Sequence, residues 1–262
     1  MDRGVDREHE WRRARELIGA ARRITALTGA GLSTAAGIPD FRGPNGVWTR
    51  DPQAQRLSDI HSYVADPEVR RQAWQSRATH PAWDATPTAG HRAFVRLAEL
   101  GVLRAVLTQN IDELHQRGGL DPVHVLELHG SMFGTVCLDC GARGTMRDAL
   151  TRVAAGEDDP PCPDCGGIQK SSTVSFGQAL DSDVVRQSHR AAQECDLFLA
   201  AGTSLTVHPA AGFVDVALAV GADLVVCNAE PTPYDYVAAA VLRDPLDEVL
   251  PALVSAAETR SA

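Results

Sequence analysis

The sequence predicts an α/β protein: a doubly wound, mainly parallel Rossmann-like sheet with a smaller domain made of a helical insert and a four-cysteine zinc ribbon. Three observations predict this fold. Short apolar runs without alternation recur along the chain, each followed by a polar or glycine-bearing motif, as strands buried on both faces require. Four cysteines stand in two pairs in the middle of the chain. Two long segments break the strand–helix pattern and therefore predict insertions.

Five apolar runs are predicted to be the strands of the large sheet. They are Ile24–Thr28, Leu103–Leu107, Val123–Leu128, Leu197–Ala201 and Leu224–Cys227. Helices are predicted near 8–21 and over 89–100, the second beginning after Thr88 as a candidate cap and ending at Gly101. Ligands bind beyond the carboxyl ends of the strands in an open parallel sheet. The polar motifs that follow all five runs therefore predict one pocket, of the nucleotide-binding kind.

The insertions divide the chain. We expect residues 1–42, 88–134 and 170–262 to form the Rossmann-like, nucleotide-binding domain. Residues 43–87 are rich in proline and in polar helical sequence, and predict the helical insert. Residues 135–169 hold the paired cysteines and predict the zinc ribbon. Both inserts are expected to fold together as one small domain over the mouth of the pocket.

The paired cysteines predict a metal site. Cys137 and Cys140 form one pair and Cys162 and Cys165 the other, with 21 residues between Cys140 and Cys162. Two residues between the thiolates of each pair, with glycine or proline close by, suit a tetrahedral Zn²⁺ site. Four thiolates leave no open coordination position, so one structural Zn²⁺ ion is expected. Chance cysteines and a redox pair are the alternatives.

The composition argues against some classes of ligand. The 262 residues carry a formal net charge of −9, and the arginine pairs do not extend into a basic face, which argues against nucleic acid. No apolar run reaches the roughly 18 residues of a membrane span, and the first ten residues are charged rather than signal-like. A cytoplasmic protein is therefore expected, in a compartment where thiolates stay reduced.

Residues 29–42 follow the first predicted strand. The tripeptide Gly29-Ala30-Gly31 begins like a dinucleotide-binding fingerprint, but Thr34 stands where that fingerprint has its third glycine. The glycines allow the backbone to approach a pyrophosphate, and Arg42 offers a fork of donors to the same phosphates. A glycine-rich turn with an incidental arginine is the alternative.

Further motifs follow along the chain: Thr108-Gln109-Asn110-Ile111-Asp112, His129-Gly130, Phe176-Gly177, Gly202-Thr203-Ser204-Leu205 and Asn228-Ala229-Glu230. Together with Gly29 to Arg42 and the four cysteines, they resemble, in kind and in order, the motifs of the sirtuins, NAD-dependent protein-lysine deacylases, in the form of a bacterial-type single catalytic core. The resemblance covers about residues 20–250. It implies NAD as co-substrate and an acylated-lysine protein or peptide as partner. It also implies that ADP-ribose is transferred to the acyl oxygen, that nicotinamide is released, and that free lysine and acylated ADP-ribose are formed.

The resemblance implies a role for each site residue. His129 is the expected catalytic base for a ribose hydroxyl, because imidazole titrates near neutrality; a hydrogen-bonded histidine at a strand end is the alternative. Asn110 and Asp112 are expected to position and stabilise the reacting ribose, although an Asx turn and a helix cap would also explain them. The other expected NAD contacts are Gly29, Ala30, Gly31, Ser33, Asp40, Phe41, Arg42, Gln109, Ile111, Gly202, Thr203, Ser204, Asn228 and Glu230.

The segment from Thr173 to Gln178 resembles the sirtuin strand that pairs with a substrate peptide. The resemblance implies that Val174 supplies a backbone carbonyl. It also implies that Phe176 walls the acyl-lysine tunnel, with Gly177 beside it. Gln178 departs from the family pattern, which has glutamate after Phe-Gly, and this departure bears on peptide preference.

A second departure bears on the acyl group. Sirtuins that remove acidic acyl groups carry Tyr-x-x-Arg in the helical insert, whereas this chain has Trp74 and Arg77 at the corresponding positions. The guanidinium of Arg77 could still donate two hydrogen bonds to a carboxylate, but the tyrosine hydroxyl is absent. The chain is therefore expected to favour acetyl or another neutral acyl group. A solvated helix residue is the alternative for Arg77.

Two other functions remain open at this point. The same pocket would serve a protein ADP-ribosyltransferase, in which nicotinamide release does not depend on an acyl group. A non-catalytic NAD-sensing or zinc-ribbon interaction module is the other alternative, and the presence of His129, Asn110 and Asp112 argues against it.

Overall fold

The computed structural model describes residues 7–44 and 46–261 of the chain; residues 1–6, 45 and 262, which fall within the predicted segments, lie outside this description. Strands β1–β9 are Ile24–Thr28, Leu103–Thr108, Val125–Glu127, Gly130–Cys137, Arg143–Thr145, Gln169–Thr173, Leu197–Ala201, Asp223–Cys227 and Ala240–Leu242. Helices α1–α10 are Arg7–Ala20, Val47–Arg50, Ile60–Ala65, Pro67–Ala78, Ala89–Glu99, Leu114–Arg117, Met146–Ala154, Ser182–Glu194, Gly212–Ala219 and Leu246–Ser261.

The large sheet is parallel and has six strands in the order β3-β2-β1-β7-β8-β9. The chain leaves β1 towards β2 on one side and later returns to β7 on the other, so the strand order reverses at β1. Thr28 lies opposite both Thr108 and Ala201 in the register. The carboxyl ends of the central strands therefore meet at one level, at the switch point where ligands of such sheets bind.

The sheet is doubly wound because its strands are apolar on both faces. Every residue of β1 and β7 is buried. Side chains of α1, α5 and α10 share one apolar core with one face of the sheet, while those of α8 and α9 share a second core with the other face. The one polar side chain facing α8 from β1, Thr25, donates its hydroxyl to the Ala191 carbonyl at 2.8 Å. The predicted α/β, doubly wound fold is confirmed.

Three strand ends of the large sheet, at Thr108, Glu127 and Asp223, differ from the prediction by one residue, and two differences are larger. The third strand begins at Val125 rather than Val123, because the Asp121 carboxylate accepts the Val123 N–H and caps a 3-10 turn over Pro122–His124. The sixth strand, β9, was not predicted. It has only three residues, and its place in the sheet is set by pairing with β8.

A smaller antiparallel sheet in the order β5-β4-β6 follows β3 in the chain. Its strands are less apolar than those of the large sheet, and all of β5 is exposed. Trp74 of α4 is buried in one apolar cluster with Met146 and Ala149 of α7, so the segments on both sides of residues 88–134 share a core. None of the described helices is long and apolar enough to span a membrane.

Candidate active site

The loops after β1 and β7 pack against each other through glycine. Gly29 donates its N–H to the Ala201 carbonyl at 3.1 Å, and Gly31 donates to the Gly202 carbonyl at 2.9 Å. A Cβ on Gly29 would lie 2.6 Å from the Gly202 carbonyl oxygen. Gly202 itself has φ +65°, and a Cβ there would lie 2.4 Å from the Leu32 nitrogen. These glycines are therefore required by the contact between the two loops, whatever they also bind.

Three polar side chains from the loops after β1 and β2 form one buried network. The Asn110 amide donates to the Ser33 hydroxyl at 3.1 Å and to the Gly29 carbonyl at 3.0 Å. Ser33 in turn donates to the Asp112 carboxylate at 2.7 Å. Each of the three side chains is buried, and each has a hydrogen-bond partner in the loop that follows the other strand. The network fixes the positions of the amide, the hydroxyl and the carboxylate relative to one another.

Asp112 also has a local role. Its second carboxylate oxygen accepts the Leu114 N–H at 3.0 Å, at the start of α6. The capping role considered from the sequence is therefore present together with the contact to Ser33. The Asn110 side chain, by contrast, bonds across to the β1 loop, while its backbone N–H is taken by the Thr108 hydroxyl at 3.1 Å.

His129 lies in the two-residue connection between β3 and β4, and one of its ring nitrogens is fixed by a hydrogen bond. Its Nδ1 is 3.0 Å from the Gln109 carbonyl oxygen. A carbonyl only accepts, so Nδ1 carries the proton and Nε2 keeps its lone pair. Burial lowers the pKa of His129 below its usual 6.5, which keeps the ring neutral at neutral pH. The Gln109 amide donates to the Thr203 hydroxyl at 2.8 Å, which joins the loops after β2 and β7.

The other predicted contacts are held mostly by short hydrogen-bonded turns, and Ile111 by a bond to β4. Asp40 accepts the Gly43 N–H at 2.8 Å. The Ile111 carbonyl accepts the Met132 N–H of β4 at 3.0 Å. After β8, the Asn228 amide donates to the Glu230 carbonyl at 2.8 Å. Ala30 lies in the 3-10 turn that follows Gly29, and Ser204 bonds to the Thr206 hydroxyl.

Trp48 of α2 is a residue that the sequence analysis missed. Its ring lies 4.7 Å from that of Phe41 and 5.4 Å from that of Phe176, centroid to centroid. The guanidinium carbon of Arg42 lies 4.6 Å from the Trp48 ring centroid. Trp48 therefore joins two of the proposed NAD contacts to a proposed substrate contact. In the sequence, Trp48 is an aromatic residue six positions after Arg42, and this spacing alone does not predict contacts with Phe41, Arg42 or Phe176.

The proposed peptide-binding strand is held between the large sheet and the helical insert. Val174 donates its N–H to the carbonyl of His129 at 2.8 Å. Phe176 donates to the Ser58 carbonyl at 2.7 Å and accepts the Ile60 N–H at 3.0 Å. Gly177 follows with φ +85°. The side-chain oxygen of Gln178 accepts the Ser175 N–H and closes the turn around Gly177.

Arg77 lies near the end of α4, beside other basic groups. Its backbone carbonyl accepts the Trp83 indole N–H at 2.7 Å. Burial and the charge of Arg77 together lower the pKa of His80 to about 4 and that of Lys170 to about 8. Burial lowers the pKa of Arg77 itself. The side chain is therefore not the freely solvated helix residue considered from the sequence.

The four paired cysteines converge as a metal site requires. Their sulfurs all lie within 4.8 Å of one another. The closest pairs are Cys137–Cys165 at 3.5 Å and Cys140–Cys162 at 3.7 Å. A tetrahedral Zn²⁺ site with Zn–S bonds of about 2.3 Å requires sulfurs about 3.8 Å apart.

The backbone around the cysteines supports the same site. Backbone N–H groups point at the sulfur of Cys137 from Asp139 and Cys140, and at that of Cys165 from Gly167. The donors at Cys137 stabilise its thiolate and lower its pKa to about 7. The four residues thus fit one closed, structural Zn²⁺ ion.

Polar, hydrogen-bonded loops at the switch point of a doubly wound sheet, together with a closed four-thiolate centre, define a nucleotide-binding protein with a structural metal. A family model described as the Sir2 family matches residues 29–209. The chain belongs to the Sir2 family.

Individual relatives agree with this assignment. The NAD-dependent protein deacetylase 2 of Streptomyces coelicolor is 52% identical over 231 residues, which are 88% of this chain and 96% of that protein. The NAD-dependent protein deacetylase 1 of Pyrobaculum aerophilum is 41% identical over 91% of each chain. A structure from work on the mechanism and regulation of Sir2 enzymes matches with a TM-score of 0.86 at 35% identity, over 96% of this chain and 99% of that one. A Sir2 complex with a p53 peptide and NAD⁺ matches with a TM-score of 0.82 at 31% identity, over 93% and 97%.

Proposed function

We propose that this protein is an NAD-dependent protein-lysine deacylase with acetyl-lysine as its preferred substrate. The observation that carries the proposal is the placement of His129: its Nε2 is free as a base, and its carbonyl holds the strand proposed to bind the substrate. The relatives named as NAD-dependent deacetylases support the same activity. NAD, when bound, supplies the ADP-ribose that accepts the acyl group.

The chain's own residues have distinct tasks in this proposal. His129 Nε2 takes a proton from a ribose hydroxyl, and the Gln109 carbonyl stabilises the imidazolium that results. The buried network of Asn110, Ser33 and Asp112 holds the nicotinamide ribose and places a carboxylate where positive charge develops. The Zn²⁺ ion is closed to substrate and has a structural task only.

Division of the chain into domains forms part of the same proposal. Residues 1–42, 88–134 and 170–262 bind NAD, and residues 43–87 and 135–169 form the small domain. The core shared by Trp74 and Met146 supports joining the two inserts. An acylated peptide would then lie between the domains, at Val174 and Phe176. Solved Sir2 complexes with a p53 peptide and with a propionylated peptide support a peptide substrate.

Arg77 bears on the choice of acyl group. Its guanidinium lies near Tyr63 and Lys170 and acts on the pKa of both. We propose that a neutral acyl group is preferred, because a carboxylate at Arg77 would have to enter this packed region. Arg77→Met should leave both acetyl-lysine and succinyl-lysine turnover unchanged if Arg77 is outside the acyl site. Selective loss of succinyl-lysine turnover would instead assign Arg77 to it.

Mass spectrometry of the products tests the function directly. The protein is incubated with NAD and peptides that carry acetyl-, succinyl- or longer acyl-lysine, with an unacylated peptide as control. Free lysine peptide together with acylated ADP-ribose is the expected result, with acetyl the fastest. ADP-ribosylated protein, or nicotinamide release that does not depend on an acyl group, would favour the transferase instead. Binding of NAD without turnover would favour the non-catalytic module.

A further inference from the structure

Lys170 is the only lysine in the sequence, and it is buried in β6 with 2% of its surface exposed. Its ammonium donates to two backbone carbonyls, that of Ser171 at 2.9 Å and that of Thr173 at 2.5 Å. Burial and the charge of Arg77 lower the pKa of Lys170 to about 8. Burial of a cation that has main-chain carbonyls as its hydrogen-bond partners here costs folding free energy. A buried lysine at this position therefore suggests a specific role.

The two carbonyls belong to the outer edge of the small sheet. β6 is an edge strand in the order β5-β4-β6. Residues of a strand direct their N–H and C=O groups alternately to its two edges. The Ile168 carbonyl accepts the Leu138 N–H at 2.8 Å, and the Val174 N–H donates to the carbonyl of His129, which directly precedes β4. The backbone groups of the even-numbered residues from 168 to 174 therefore point towards β4. The carbonyls of Ser171 and Thr173 therefore face away from β4.

Side chains satisfy the carbonyls of this outer edge one after another. The Tyr63 hydroxyl of α3 donates to the Gln169 carbonyl at 2.8 Å. The Lys170 ammonium takes the next two carbonyls, at Ser171 and Thr173. Lysine is common on edge strands, where its charge prevents pairing with another strand. Here the ammonium occupies the last free carbonyls of β6 before the proposed peptide-binding strand.

We propose that Lys170 is a positioning residue for the peptide-binding strand. Its ammonium fixes the end of β6 at Thr173, and the next residue, Val174, is the one that bonds to the His129 carbonyl. The ammonium thereby holds Val174 and Phe176 at a set position relative to the base. This inference rests on the proposed deacylase function and deepens it, because it names a residue on which peptide binding depends.

Steady-state kinetics of Lys170→Met tests the proposal. Methionine fills a similar volume without donors, so KM for an acetyl-lysine peptide should rise at least about fivefold, while KM for NAD and kcat stay within about twofold. Lys170→Arg, which keeps a donor cation, should recover most of the peptide affinity. Tyr63→Phe is the matched control, because it removes the donor of a neighbouring carbonyl on the same edge and should leave the peptide KM unchanged.

Amide hydrogen exchange provides a readout that needs no turnover. Protection of the Val174 and Phe176 amides should fall in Lys170→Met and remain in Tyr63→Phe. If Lys170→Met does not fold, Lys170→Gln replaces it, since its side chain is polar but shorter and uncharged, and the same direction of change is expected. An unchanged peptide KM together with unchanged protection in the Lys170 variant would overturn the proposal. An inactive wild-type protein would instead refute the deacylase function, and the exchange result would still decide the role of Lys170.

Discussion

The large sheet and the small sheet are stabilised by different means. In β1 and β7 every residue is buried, and two apolar cores cover the faces. The small sheet has one fully exposed strand, and its stability depends on four thiolates and on side-chain donors along its edge. In the proposed function, chemistry and substrate binding divide in the same way, since the proposed base and ribose network follow strands of the large sheet, while Phe176, the proposed substrate contact, follows a strand of the small one. Changes in the large sheet should therefore act on kcat, and changes in the small one on peptide KM.

The largest effect is expected from removal of the metal. Chelation of Zn²⁺ should abolish deacylation, because a structural zinc site contributes folding free energy to a region with little core of its own. Hydrogen exchange should show loss of protection in β4 and β6, with protection in β1 and β7 retained.

A control separates the metal from thiol chemistry in general. Cys137→Ser should reproduce the effect of chelation, whereas Cys195→Ala, at a buried thiol between α8 and β7, should leave the zinc content unchanged. If both sheets lost protection together on chelation, the comparison between the two regions would be wrong.

The second largest effect is expected at the base. His129→Ala should lower kcat by about 10²-fold or more, because the ribose proton then has no acceptor at Nε2. Peptide KM and NAD binding should change little, as the backbone bond from Val174 remains. Turnover and NAD titration are the measurements. His189→Ala, at an exposed histidine of α8, is the matched control. Near-normal kcat in the His129 variant would remove this residue from the mechanism.

The pH dependence of kcat/KM should follow from the environment of His129. The base must be neutral, and burial lowers its pKa below 6.5. Activity should therefore be retained at neutral pH and decline as the pH falls, with the midpoint of the acid limb below 6.5. The His129→Ala residual activity should lack this limb. A midpoint above 6.5 would mean that another group controls the acid side.

The same two regions differ in how far the sequence predicts them. Strands such as Leu197–Ala201 were predicted at their observed bounds, because continuous apolar runs have few other interpretations. The cysteine spacing likewise predicted a four-thiolate cluster. The three-residue β9 could not be predicted, because its state is decided by pairing with β8 rather than by its own composition.

Within the site, residue types were predictable but their partners were not. The resemblance selected Ser33, Asn110 and Asp112, yet only the fold shows that they bond to one another across two loops. The ammonium of Lys170 bonds to carbonyls only one and three residues along, but a single lysine in a polar strand does not predict that contact. Trp48 carried no sequence signal either, because its contact with Phe176 joins residues far apart in the chain. Long-range contacts of this kind leave no local periodicity to detect.

The smallest effect is expected at Gln178, on the small-sheet side of the site. Its side-chain oxygen accepts the Ser175 N–H at 3.0 Å and closes the turn at the end of the proposed peptide-binding strand. Glutamate offers an equivalent oxygen, so Gln178→Glu should change peptide KM by less than about twofold and leave kcat unchanged. Gln178→Ala removes the acceptor and should raise peptide KM a few-fold, again without loss of kcat. A kcat effect from either variant, measured with saturating peptide, would show that the turn acts on the chemistry and that the two regions are not separable in function.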